Sequence, residues 1–154
     1  MGSGEERAKA LAELLKSKRQ ESASAASRVA MSRDIVAEQI PGVWEDLIEE
    51  FEDYCENVNE QVNPERKLAV HRTGPHDFMV RPDAMPEIVQ GHYAYDTRAI
   101  SIRNYKGVEW YLPKVYLVGT GSIHLVSKST GHVTNLDAIA QNAIDDAMLR
   151  NVIG

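Results

Sequence analysis

Six short segments between residues 66 and 134 constrain the fold of this chain more than any other feature. Apolar and polar side chains alternate along them with a period of two, which is typical of half-buried β-strands. The connections between them are short and rich in Gly, Pro, Asn and Asp, so neighbouring strands can run only antiparallel. This pattern predicts a meander of five or six strands with one buried face. The segments are KLAVHRT, HDFMVRP, EIVQGHYAYD, RAISIRN, VEWYLPKVYLV and SIHLVS.

Two amphipathic helices are predicted on either side of the meander, one over residues 43–62 and one over residues 134–154. In both, apolar residues recur three or four positions apart, which places them on one face of a helix. Two apolar helix faces and one apolar sheet face are buried most simply against each other. The sequence therefore predicts an α+β fold with an N-terminal and a C-terminal amphipathic helix packed on one face of the sheet. The first helix contributes Trp44, Leu47, Ile48, Phe51, Tyr54, Cys55, Val58 and Val62.

The chain before the first of these helices differs in composition. Residues 1–33 combine strong helix formers with a small, polar stretch, and we interpret them as an N-terminal arm that is partly helical or mobile. Residues 34–154 are interpreted as a single α+β domain, a usual size for one hydrophobic core. Within that domain, Asp34 is expected to cap a short helix that Pro41 and Gly42 break or kink. Pro64 is expected to end the main helix at Asn63.

The charge of the chain is unevenly distributed. Residues 1–33 carry a net charge of +3, residues 34–63 carry -10 and residues 64–154 carry +1, for a total of -6. A negative chain lacks the basic footprint that direct nucleic-acid binding needs. Like charges four residues apart destabilise a helix, so the concentration of carboxylates on the main helix suggests an interaction surface. The alternative is an ordinary water-facing side of a helix. The predicted surface comprises Glu45, Glu49, Glu52, Asp53 and Glu56.

The single cysteine, Cys55, rules out an intramolecular disulfide and favours a reducing compartment. No apolar run reaches the 18 residues typical of a membrane-spanning helix. These two observations predict a cytoplasmic protein with no membrane partner.

Five histidines are present, and the segment HRTGPHD brings His71, His76 and Asp77 together across a predicted turn. Two histidines and a carboxylate can bind zinc or iron, so these three are the candidate metal ligands. The alternative is a set of exposed or hydrogen-bonded side chains, since no established metal-binding spacing is present. We find no nucleophile motif and no phosphate-binding loop, and Cys55 lies on the apolar stripe of a helix. No cofactor is predicted.

The leading hypothesis is a small, non-catalytic protein-interaction domain whose partner is another protein or a second copy of the chain. Its contact surface would be the acidic helix, the outer face of the sheet or the N-terminal arm. One alternative is a ligand-binding or metal-dependent enzyme domain that uses the His/Asp group. A second alternative is an acidic mimic of nucleic acid that binds a basic protein.

Overall fold

The structure, a computed structural model, describes residues 3–117 and 122–153 and shows an α+β fold. A long helix precedes an antiparallel sheet, and a second helix follows it. Within the described residues the strands are hydrogen-bonded in sequence order from β1 to β7, each antiparallel to the next. The elements are α1 (Ser3–Gln61), β1 (Leu68–Gly74), β2 (Asp77–Pro82), β3 (Val89–Ala94), β4 (Ala99–Asn104), β5 (Gly107–Leu117), β6 (Ser122–Ser127), β7 (Val133–Thr134) and α2 (Leu136–Ile153).

The meander is therefore confirmed, but the predicted number of five or six strands is wrong. The additional strand is β7, which consists of Val133 and Thr134 and pairs with Val126 and Leu125 of β6. Two residues are too few for an alternation of apolar and polar side chains to be recognised.

Both helices contribute to one hydrophobic core together with alternate residues of the strands. Phe51 and Ile144 are fully buried, the first on α1 and the second on α2. The strand side chains that meet them lie on one face of the sheet, as the alternation requires. The buried strand residues of this core are Leu68, Phe78, Val80, Val89, Tyr93, Ile100, Ile102 and Leu125.

A helix start at Asp34 and a break or kink at Pro41 were expected; helix α1 continues through both residues, which contradicts the cap at Asp34 and the break at Pro41. A proline inside a helix removes one backbone hydrogen bond and crowds the preceding turn. Here the turns on both sides of the proline are anchored in the core, because Ile40 and Trp44 are almost completely buried. We attribute the continuity of the helix to this packing. The other end is as expected, because α1 ends at Gln61 and Asn63 adopts a left-handed φ of 50° just before Pro64.

Strand β5 extends beyond the strand that precedes it. Its pairing with β4 reaches Tyr111, whereas its pairing with β6 continues through Pro113 to Leu117. From Leu112 onward, β5 is therefore paired on one side only. Pro113 lies in this overhang, where a residue without a backbone N–H is tolerated. The overhang matters below because it forms one wall of a cleft.

Glu109 on β5 forms hydrogen bonds with the turn that follows β6. Its Oε1 accepts hydrogen bonds from Ser127 Oγ, from the backbone N–H of Ser129 and from Ser129 Oγ. Burial acts to raise the pKa of Glu109, but these hydrogen bonds to the carboxylate outweigh it and the pKa is lowered.

Replacing Glu109 with glutamine is expected to lower the free energy of unfolding by about 1 kcal/mol at neutral pH. A carboxyl with a lowered folded-state pKa stabilises the fold above its unfolded-state pKa, and this stabilisation is lost as pH falls through the folded-state pKa. The difference between the wild type and Glu109→Gln should therefore shrink below the ordinary glutamate pKa of 4.5. Urea unfolding at several pH values from about 3 to about 7, a range that spans the titration of carboxyl groups, measures this difference in stability. Glu65→Gln, at an exposed position, is the control; a gap at Glu109 that persists at low pH would contradict the account.

Candidate interaction surfaces

The five residues predicted as an interaction surface are all exposed on α1. Glu45 forms an ion pair with Arg72 at the β1 edge of the sheet, and this hydrogen bond raises the pKa of the arginine. Among the residues that the structure describes, no basic side chain pairs with Glu49, Asp53 or Glu56. The anionic character of this surface is therefore only slightly neutralised from within the domain. We call these five residues (Glu45, Glu49, Glu52, Asp53 and Glu56) the acidic surface.

Helix α2 extends the negative charge across the whole helical layer. Residues 44–61 carry eight carboxylates and no basic residue, and α2 carries three carboxylates and one arginine. The two helices are joined by Tyr54, whose hydroxyl donates a hydrogen bond to Asp145 and whose pKa is raised to about 12 mainly by that bond. The pKa of Glu50 is raised, first by desolvation and then by nearby carboxylates that include Asp137 of α2. The helical layer thus presents a concentrated negative field.

The three candidate metal ligands lie at separate points around the β1–β2 turn. His71 is paired in register with Met79, and His76 stacks on Tyr95 with 5.7 Å between ring centroids. Asp77 is hydrogen-bonded to His92, with 2.7 Å between Asp77 Oδ1 and His92 Nδ1. Within residues 3–117 and 122–153, no three His, Cys, Asp or Glu side chains converge as a metal ion requires. Metal binding by His71, His76 and Asp77 stays a prediction that no observed geometry supports.

The pairing of Asp77 with His92 was not foreseen from the sequence. Both residues lie on the outer face of the sheet, directly opposite each other across β2 and β3. Their shared outward parity was visible in the sequence, but the register that brings them together depends on the intervening turn. Both side chains are about half exposed, so this is a surface hydrogen bond.

The first half of α1 projects from the domain as a helical arm. Residues 4–21 and 25–31 are all exposed, and the first fully buried residue of the helix is Ile40. At 1.5 Å per residue, the part from 3 to 33 is about 45 Å long. Three large apolar side chains near its tip are open to solvent, Leu11 at 58%, Leu14 at 61% and Leu15 at 48%. We call residues 3–33 the projecting arm and residues 11–15 its leucine tip.

A cleft of about 820 Å³ opens where the projecting arm meets the sheet. One wall is the helix from Arg28 to Ala37, another is the β5 overhang, and the turn before β4 closes one end. Arg98 of that turn donates a hydrogen bond to the backbone oxygen of Arg33 at 3.2 Å, which ties the turn to the helix. The apolar residues that line the cleft are Val29, Val36, Ala37, Leu112, Pro113 and Val115. Its charged lining residues are Arg28, Arg33, Asp34, Asp96, Arg98 and Lys114.

The outer face of the sheet carries a smaller apolar area at its β5–β7 end. Leu112 is paired with Val126, and Val126 with Val133, so three apolar side chains form a row across the strands. Val108 and Val133 are exposed, whereas Trp110 is half-buried. Isolated surface apolar residues are ordinary, but a contiguous row can mark a contact site.

Cys55 takes no part in these surfaces. Its side chain is buried in the core, and desolvation raises the pKa of the thiol to about 12. A thiol in this state is packing rather than a nucleophile.

The described part of the chain contains no helix with both the length and the apolar character needed to cross a bilayer. Comparison with protein-family models, with curated proteins and with solved structures found no match to this chain.

Proposed function

We propose that this protein is a non-catalytic interaction domain that binds a protein partner through the leucine tip of its projecting arm. The observation that carries the proposal is the exposure of Leu11, Leu14 and Leu15 on a helix whose residues 4–21 and 25–31 are all exposed. Burying one leucine side chain is worth about 1.5–3 kcal/mol. A helix that displays three of them together on one side is typical of helix-mediated recognition.

The rest of the structure supports this proposal because the helix of the arm continues into the core. The C-terminal half of the same helix is anchored by Leu47, Ile48 and Phe51, which are all almost fully buried. A contact surface that is already helical loses less conformational entropy on binding than a disordered one. The arm is therefore presented in a pre-organised form.

The acidic surface supports a second candidate, the binding of a basic protein in place of nucleic acid. The observation that favours it is the ratio of eleven carboxylates to one arginine across the helical layer. Such a contact would be mainly electrostatic and would weaken strongly as salt is raised. The leucine-dependent contact would persist at high salt, since apolar burial is not screened.

The test is the replacement of Leu11, Leu14 and Leu15 by glutamine, which keeps a good helix former at each position. At about 1.5 kcal/mol for each leucine, the three changes should weaken association at least about a thousandfold. Association is measured by light scattering of the pure protein and by retention of proteins from a cell lysate at low and high salt. Circular dichroism checks that helicity is unchanged.

The matched control replaces Lys9, Glu13 and Lys16 by glutamine on the opposite side of the same turns of the helix. This variant should associate as the wild type does. A wild type that is monomeric and retains no protein at either salt concentration would overturn the proposed function. Retention that survives the leucine changes but disappears at high salt would assign binding to the acidic surface instead.

A further inference from the structure

The leucine tip and the cleft lie on the same side of helix α1. Leu11 and Leu15 are four residues apart, Val29 follows fourteen residues after Leu15, and Val36 follows seven residues after Val29. Separations of four, seven and fourteen residues keep side chains on one helix face. Val29 and Val36 line the cleft, so the face that carries the leucines at the tip is the face that opens into the cleft at the root.

We propose that the partner of the projecting arm is a second copy of this chain, bound antiparallel, with the leucine tip of each copy in the cleft of the other. This inference rests on the proposed function and names the occupant of the contact. The tip supplies three unburied leucines, and the cleft is lined by six apolar residues, of which Val29 and Ala37 are exposed and the other four are half-buried. In a pair of copies related by a two-fold axis, the tip of each copy is buried in the cleft of the other, so the same contact is formed twice.

The charge of the tip is complementary to the charge of the cleft. Residues 3–15 carry two basic and three acidic groups, or -1, whereas residues 16–33 carry five basic and one acidic, or +4. The charged residues that line the cleft comprise four basic and two acidic side chains, or +2. Seating the tip in the cleft therefore brings a negative segment of one copy to a positive cleft of the other.

The middle of the arm suits a close crossing of two helices. Seating the tip in the cleft places Leu11 opposite Val36 of the second copy, and the two-fold axis then passes near residues 23 and 24. Residues 22–27 are all serine or alanine, so large side chains are absent from the sequence where the two helix backbones approach most closely. Small residues at such a position permit a short interaxial distance.

The test is disulfide cross-linking of the variant Leu11→Cys, Val36→Cys in the full chain. Within one copy these positions are 25 residues apart on one helix, or about 37 Å, so no disulfide can form inside a chain. In the proposed pair each new cysteine faces its counterpart in the other copy, and mild oxidation should convert most of the protein to a covalent dimer on a non-reducing gel. Native Cys55 adds little background, because it is buried and its pKa is raised to about 12.

Two control variants separate the possible geometries. Leu11→Cys alone should remain uncross-linked, since in an antiparallel pair the two Leu11 positions lie far apart. The pair Glu13→Cys, Glu38→Cys has the same spacing of 25 residues but lies on the opposite helix face, so it should also remain uncross-linked. Light scattering of the untreated wild type should give the mass of two chains at about 100 μM, well above a micromolar Kd.

Every other outcome of these experiments would overturn the inference. Cross-linking of Leu11→Cys alone would show a parallel pair, and a dimer without the expected disulfide would show that the tip is not in the cleft. A monomeric wild type that still captures another protein through its leucines would overturn the self-association and leave the proposed function standing. A monomer that captures nothing would overturn both.

Discussion

Replacing Phe51 with alanine is expected to lower the free energy of unfolding by about 3–5 kcal/mol, the usual cost of removing a buried aromatic side chain. Phe51 is 0% exposed and lies where α1 crosses the sheet, with its ring centroid 4.9 Å from that of Phe78. A domain of this size is typically stable by about 5–15 kcal/mol. The substitution should therefore remove a large part of the stability and leave a cavity that the rigid helix and sheet cannot close.

Urea unfolding followed by tryptophan fluorescence measures this loss, since Trp44 lies in the same core. The control is Glu49→Ala, two residues earlier on the exposed side of the same helix, which should change stability by less than about 0.5 kcal/mol. If the two variants unfolded at the same urea concentration, Phe51 would not be the centre of the core. The projecting arm should not affect this comparison, because its residues 4–21 and 25–31 are exposed and lie outside the core.

The core-facing residues of the main helix could be predicted from the sequence because their spacing follows the period of a helix. Trp44, Leu47 and Val58 are buried as that spacing requires. Val62 is an exception and is 63% exposed. It is the first residue after α1 and its N–H still bonds to the backbone oxygen of Val58, so the helical period reaches this residue but the core does not.

The continuity of α1 could not be predicted, because local and tertiary effects oppose each other at Pro41. Local rules give the cost of a proline inside a helix, but the compensating packing of Ile40 and Trp44 depends on where the sheet lies. The long helix in turn determines the position of the projecting arm. A sequence interpretation that separates residues 1–33 from the main helix therefore has no means to predict the direction of the arm.

The candidate surfaces also differ in how far the sequence could predict them. The exposure of Glu49 and Asp53 follows from one helix alone and could be predicted. The cleft combines one helix, the overhang of β5 and a turn that contains Arg98, and its existence depends on β4 being shorter than β5. Strand lengths and register are set by pairing over distance, which hydrophobic periodicity does not report. The pairing of Asp77 with His92 was missed for the same reason.

Replacing Gly91 with alanine is expected to destabilise the protein by about 1–3 kcal/mol, although the change adds only one methyl group. Gly91 in β3 is paired with Phe78 in β2, and the aromatic ring lies over the glycine. A Cβ atom at this position would fall less than 3.0 Å from the Cε1, Cζ and Cδ1 atoms of that ring. The ring cannot easily move away, because it also packs against Trp44 and Phe51 with centroid distances of 5.4 Å and 4.9 Å.

The matched control is Gly74→Ala in β1, where an added Cβ would meet nothing within 4 Å. That change should be neutral or slightly stabilising, because it only reduces the freedom of the unfolded chain. The cause of the Gly91 effect is tested by repeating the substitution in a Phe78→Leu background, which removes the far side of the ring. If steric overlap with Phe78 is the cause, the cost of Gly91→Ala should fall by more than about 0.5 kcal/mol in that background. Equal costs in both backgrounds would instead indicate that the glycine is needed for the β3 backbone itself.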